Sequence, residues 1–275
     1  MRYRHFLRID EATLPKNAFE QICRIAPGGR KPYGFDLQVD SESPDGGEIV
    51  GSIIAICAAH GLKRRRIVND TSYGHSADRW YDDEAYRNAE LLVLSRQSKI
   101  QGLARPERDE KGRLLLDRKN VKTASKLGLG RIFPNWIVVS YKVRQLLQAE
   151  KFIGLEFIEV AVSDGSDDQF WELQSSIVLP KMANCHQFVH PGTTGIEPFK
   201  GDYSKTIMLN DPPFNKGEIH YRRSDIALVG EFDFARTFEN YMEPHYAFVV
   251  SQRFYRSCTR HKIRLYVDPV RIDPE

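Results

Sequence analysis

Two stretches of this chain spell out the same order of signals, and that repetition constrains the fold more than any other feature. The later copy runs Phe248-Val249-Val250-Ser251-Gln252-Arg253-Phe254 through Cys258 and His261-Lys262-Ile263 to Leu265-Tyr266-Val267-Asp268-Pro269-Val270-Arg271-Ile272. An apolar strand leads to a serine suited to cap a helix, Phe254 and Cys258 fall on one helical face, and a second apolar strand follows. The earlier copy reads Ile137-Val138-Val139-Ser140, then Val143, Leu146 and Leu147 on a helical face, then Leu155-Glu156-Phe157-Ile158-Glu159-Val160. Ser140 and Ser251 correspond. The copies differ by one residue at the helix-to-strand turn, where Gly154 is expected to supply the left-handed stop of the first helix.

A unit this small leaves an apolar face open when alone, so units at 132–163 and 243–273 are expected to pack on each other or on a shared sheet. Upstream, Tyr3 to Ile9 has strand composition, and Thr13-Leu14-Pro15 opens a helix striped by Phe19, Ile22, Cys23 and Ile25. Tyr33, Phe35, Leu37 and Val39 alternate with small or polar residues as a half-buried strand does, and Ile49 to Ala59 reads as an apolar helix ending at His60-Gly61. Residues 96–131 carry a strong excess of Lys and Arg, read as a solvated hairpin or loop turning at Asp109-Glu110-Lys111-Gly112. Asp225 to Phe234 reads as a strand or hairpin. Strands and helices mix without regular βαβ alternation, which predicts an α+β class with mixed or antiparallel sheets, in a single domain over 1–275.

A formal charge of +3 on 275 residues is too balanced to argue for nucleic acid by itself, which weighs against a nucleic-acid-binding module built on the basic region 96–131. The chain has no apolar run long enough to span a membrane, and Met1-Arg2-Tyr3-Arg4-His5 lacks the apolar core of a signal peptide, so a cytoplasmic location is expected. Cys23, Cys57, Cys185 and Cys258 form no CxxC pair and read as reduced core thiols.

Candidate chemistry is sparse. Asn210-Asp211-Pro212-Pro213-Phe214, after the apolar Thr206-Ile207-Met208-Leu209, is similar to the D-P-P-[YF] motif of S-adenosylmethionine-dependent amino-methyltransferases. Those enzymes also need a Gly-rich loop after a strand and a parallel sheet. The pattern contains neither, so a turn is the simpler reading. Cys57 with His60 and Cys258 with His261 have metal-ligand spacing on a helix, but each Cys continues an apolar stripe and each His suits a helix C-terminus. Cys185-His186 with His190 lacks a fourth ligand. The expectation is therefore no catalytic residue, no cofactor and no metal.

The two repeated units and their surroundings resemble the bacterial double-CXXCG motif proteins and related polymorphic-toxin immunity families. The residues that carry this resemblance are Ala89-Glu90-Leu91-Leu92-Val93-Leu94, Val138-Val139-Ser140, Gly154-Leu155-Glu156-Phe157, Ser224-Asp225-Ile226 and Phe248 through Arg271. The CXXCG pairs that name the family, expected to hold zinc, are absent, and Leu103 to Gly130 contains no Cys. The resemblance implies an inhibitor that binds and neutralises one cognate toxin. A candidate partner-binding stretch is Asp78, Trp80, Tyr81, Asp82, Asp83 and Glu84, where aromatics and acids would suit a basic toxin. The competing reading is an ordinary helix start, with acids favouring the N-terminal dipole and Trp80 and Tyr81 packed inward.

Overall fold

A computed structural model describes residues 2–32, 34–40, 45–65, 72–95, 107–132, 136–163, 169–183, 188–189, 208–209, 218–242 and 245–274. The class is α+β, as the pattern predicts. Where the sequence suggests one domain, packing separates two compact units, one within Met1–Ala85 and one comprising Tyr86–Leu209 with Glu218–Glu275.

In the first unit the order is β1 (Arg2–Asp10), α1 (Lys16–Ile25), β2 (Arg30–Lys31), β3 (Gly34–Asp40), α2 (Gly46–Ala59), β4 (Lys63–Arg65) and β5 (Ser72–Trp80). The sheet order is β2-β3-β1-β5-β4. Alternation puts Leu7 and Ile9 of β1 with Phe35 and Val39 of β3 on the face that α1 covers with Phe19, Ile22 and Cys23 and α2 with Val50, Ile53 and Cys57. Helix α2 ends as expected, with His60 at its C-cap and Gly61 left-handed at φ +74°.

After α3 (Asp83–Asn88), the second unit contains β6 (Leu91–Leu94), β7 (Leu115–Leu116), α4 (Arg118–Leu127), β8 (Leu129–Ile132), β9 (Trp136–Ser140), α5 (Tyr141–Ala149), β10 (Leu155–Val162) and β11 (Phe170–Ser175). It continues with β12 (Phe188–Val189), β13 (Met208–Leu209), β14 (His220–Arg222), α6 (Arg223–Ala227), β15 (Phe234–Met242), β16 (His245–Ser251), α7 (Gln252–Arg260), β17 (Val267–Pro269) and β18 (Arg271–Asp273). One expectation holds in part and one fails: the hairpin turn is present, with Arg108 bridging Leu114 antiparallel. The basic region is a turn at Asp109–Gly112 followed by a helix, α4, capped by Asp117 and stopped by Gly128; residues 96–106 lie outside the described part. Asp225 to Phe234 holds a short helix, α6, before β15 begins. Buried Val121 and Ala124 anchor α4, and partly buried Ile226 and Val229 pack at α6, where charge obscured the period.

The repeat is present and larger than the sequence suggests. One sheet has the order β7-β10-β11-β9-β8. The other runs β17-β6-β16-β15, and β18, separated from β17 only by Val270, pairs with β14. Counting β17 and β18 as one broken strand, the two orders are the same, and so are the strand directions. Registers agree residue by residue. Val139 faces Leu129 and Trp171, as Val250 faces Phe234 and Leu92. Val162 pairs with Leu116 as Ile272 pairs with Tyr221. The Ser140 amide donates to the Gly128 carbonyl, and that of Ser251 to Asp233.

The middle strands are exchanged. By chain order β6 belongs with the earlier copy and β11 with the later, yet β11 fills the earlier copy's sheet and β6 the later copy's. The helices are equal in length, and the left-handed stop is Lys151 (φ +53°) in one and Lys262 (φ +58°) in the other, the only non-glycine residues with positive φ among those described. Gly154 is therefore not that stop. It is left-handed too, but a Cβ there would lie 2.3 Å from the Phe234 carbonyl oxygen, so the close approach of β15 requires glycine.

The copies pack on one shared core, as their open apolar faces demand. Leu129, Ile137, Val139, Val143, Leu147, Phe152, Trp171 and Leu173 join their counterparts Phe234, Phe248, Val250, Phe254, Cys258, Ile263, Leu92 and Leu94. The Phe152 and Phe254 rings lie 4.9 Å apart. Each sheet's other face has its own core, Leu114, Leu116, Val138, Val160 and Phe170 in one and Ile219, Tyr221, Val249, Val270 and Leu91 in the other.

Candidate functional site

The structure divides the predicted partner-binding stretch between two elements. Asp78 and Trp80 lie at the end of β5, in register with Arg4 and Arg2 of β1, and their side chains lie outside the described part. Tyr81 is half-buried, whereas Asp82, Asp83 and Glu84 are exposed. Asp82 Oδ1 accepts the Ala85 amide at 2.8 Å, so it caps α3 while Asp83 and Glu84 occupy the first turn. This is the geometry of a helix start, with Asp82 as its cap and Asp83 and Glu84 in the exposed first turn.

Each copy serves as a reference for the other, and the comparison isolates buried polar groups that the fold does not require. Glu172 of β11 stands where β6 has Val93, Tyr221 where β7 has Leu116, and Thr237 where β8 has Ile132. Glu172 is 1% exposed. Its Oε1 accepts from Gln174 Nε2, and its Oε2 lies 3.6 Å from Arg108 Nη2, whose guanidinium sits over the Trp136 ring. Tyr246 Oη donates to Gln174 Oε1 at 3.1 Å. Burial pushes the Glu172 carboxyl above its usual pKa, against the pull of Arg108 and Gln174.

The later copy holds a second polar group. Glu239 Oε1 accepts the Met182 amide at 2.7 Å, while its Oε2 and the Tyr221 hydroxyl are buried with no hydrogen-bond partner among the described residues. Burial raises the pKa of both, and the Glu239 charge adds to the rise at Tyr221. Asp233, where the earlier copy has Gly128, ties the copies together. Its Oδ1 accepts from Ser251 Oγ at 2.7 Å and Arg253 Nε at 2.9 Å, and its Oδ2 accepts the Ile153 amide at 3.0 Å. Burial works against its ionisation, but these donors outweigh it and hold the carboxyl below its usual pKa. None of these groups announces itself in sequence; only the register comparison between copies picks them out.

The two Cys–His pairs belong to different units. Cys57 belongs to the first unit's core and Cys258 to the second unit's, and burial pushes their thiols up to about 11 and about 12. His261 Nε2 instead lies 3.3 Å from Glu150 Oε1, its counterpart residue in the other copy. Among the described residues no group of three or more His, Cys, Asp or Glu could hold a metal. Cys185, His186 and His190 lie outside the described part, as do Asn210 to Phe214. No helix among the described residues is long and apolar enough to cross a membrane. Compared with protein-family models, with curated proteins and with solved structures, the chain matches none.

Proposed function

We propose that this chain is a protein-binding inhibitor, the immunity partner of a bacterial toxin, acting in the cytoplasm by occupying its target and not by catalysis. The observation that carries the reading is that the residues behind the resemblance to toxin-immunity families build the duplicated core. Val138, Val139 and Phe157 occupy the same register positions in their sheet as Val249, Val250 and Val267 in the other, and Ser140 and Ser251 begin equal helices. A methyltransferase reading based on Asn210 to Phe214 calls for an open parallel sheet. In both copies here the central strand, β11 in one and β6 in the other, runs antiparallel to both of its neighbours. A binding protein makes no such demand.

The test is co-expression with the product of each neighbouring gene. Rescue of growth together with co-purification is the expected result; neither effect with any flanking gene product overturns the reading. Once a toxin is in hand, the double variant Asp83→Lys with Glu84→Lys should weaken its binding at least tenfold and reduce the association rate at low salt if the acidic stretch steers the encounter. An affinity within threefold of the parent removes that stretch from the interface while leaving inhibition intact.

A further inference from the structure

The charge of this chain is nearly balanced in total but not in its distribution. From Gln252 to Val267, helix α7 and the turn after it, the chain carries Arg253, Arg256, Arg260, Lys262 and Arg264 and no Asp or Glu. All of these basic residues are exposed. The buried side of α7 is Phe254, Ser257 and Cys258, so Arg253, Arg256 and Arg260, spaced three and four apart, form one stripe along its outer side. Lys262 and Arg264 carry the charge past the helix end, with the Arg264 guanidinium 4.7 Å from the Tyr266 ring centroid.

The acids near the stripe leave most of it uncompensated. Asp233 is committed to Arg253, to whose charge Glu231 adds its pull. Glu150 lies 3.6 Å from Arg260, whose side chain is 69% exposed, and an exposed pair at that distance contributes little. Arg256, Lys262 and Arg264 make no ion pair among the described residues.

The fold does not ask for this arrangement. Helix α5 is the equal helix of the other copy, and its residues at the places of Arg256 and Arg260 are Gln145 and Ala149, both exposed. Like charges three and four residues apart on a helix repel, so the stripe works against the stability of α7. The helix dipole offsets this for Arg260 in the last turn, but not for Arg256 in the middle. A bound anion would relieve the repulsion. Protein interfaces are anchored by large apolar side chains and are depleted of charge at their centres, yet none of the exposed large hydrophobic residues among those described lies between Gln252 and Tyr266. A positive, polar face without such anchors fits the phosphate backbone of nucleic acid, which guanidinium groups grip with two parallel hydrogen bonds.

We propose that Arg256 and Arg260 of α7, with Lys262 and Arg264 beyond it, bind the phosphate backbone of nucleic acid without reading its sequence. This surface lies outside the basic region 96–131, and the proposal goes beyond the inhibitor reading without depending on it.

The test is fluorescence anisotropy of the full-length protein with a labelled mixed-sequence DNA duplex and with a labelled single-stranded RNA, at salt concentrations from about 50 to 200 mM. Binding to at least one of them is expected, with log K falling linearly against log salt at a slope of about −3 to −4, as four phosphate contacts require. Arg256→Gln with Arg260→Ala, which puts the α5 residues in place, should weaken binding at least tenfold at the lowest salt and lessen the slope by about two. Lys122→Gln with Lys126→Gln, which removes the same charge from exposed positions on α4, should leave affinity within threefold. No binding to either nucleic acid at the lowest salt overturns the proposal. Equal weakening by the α4 variant does so as well, since net charge alone would then be responsible. A glutamate-rich peptide that binds more tightly than either nucleic acid, and is released by the α7 variant, also overturns it, because the face would then serve an acidic protein. The assay needs no toxin, so its failure leaves the inhibitor reading standing, and failure of the rescue experiment leaves this surface standing.

Discussion

Glu172 shows what one residue costs when a fold does not ask for it. Its counterpart Val93 fills the same register position in the other copy with hydrocarbon. Removing a buried charge whose partner, Arg108, is 38% exposed and can return to water is often neutral or stabilising. Glu172→Val should therefore change unfolding free energy by no more than ~1 kcal/mol at neutral pH, by denaturant titration. The pH dependence has a definite sign. A carboxyl whose folded pKa is raised stabilises most below its unfolded pKa of about 4.3, and that contribution is lost as pH rises through the higher folded value. The variant should flatten this decline; an unaltered stability-against-pH curve would show that Glu172 is ionised in both states. Asp233 works in the opposite sense, stabilising above the ordinary Asp range and losing that contribution as pH falls through its lowered pKa.

At the scale of the element, the two capped helices are a controlled comparison within one molecule. Ser251 Oγ accepts the Phe254 amide at 3.1 Å and donates to Asp233, whereas Ser140 makes no side-chain cap bond. Ser251→Ala should cost about 1–2 kcal/mol and Ser140→Ala a few tenths at most, by thermal or chemical unfolding. Equal losses would mean that the serine acts through its backbone conformation alone. Much at this scale was legible in the sequence. Apolar strand, serine, helical face and return strand identified both units, because each signal is local. The left-handed stop was misassigned to Gly154, since nothing in the sequence marks Lys151 or Lys262 as left-handed. Helices α4 and α6 are not legible because α4 buries only Val121 and Ala124 amid Lys and Arg, and the short α6 buries no residue fully. The Glu172–Arg108 pair is invisible for a different reason: Glu172 comes from β11, whose place beside β9 is a matter of topology and not of spacing.

For the second unit as a whole, the exchange of β6 and β11 means that neither sheet is complete without a strand from the other half of the chain. The shared core makes the same demand, so the unit should open as one block. Leu173→Ala, a truncation in β11 at a fully buried site, should cost about 2–5 kcal/mol. Hydrogen exchange should then show the slowest amides of β9 and β16 losing protection by the same factor, as they do when a single cooperative opening exposes both. Loss confined to β9 and its neighbours would show two separately folding halves.

The same exchange sets a waiting time during synthesis. Leu91-Leu92-Val93-Leu94 leaves the ribosome early, but its partners in β16 follow roughly 160 residues later, a delay on the order of ten to thirty seconds at ~5–20 residues per second. Throughout that interval a bare apolar strand with two unpaired edges is attached to a half-built chain, the kind of segment that aggregates unless chaperones hold it. Yield in a cell should thus depend on chaperone supply far more steeply than the stability of the finished protein would suggest.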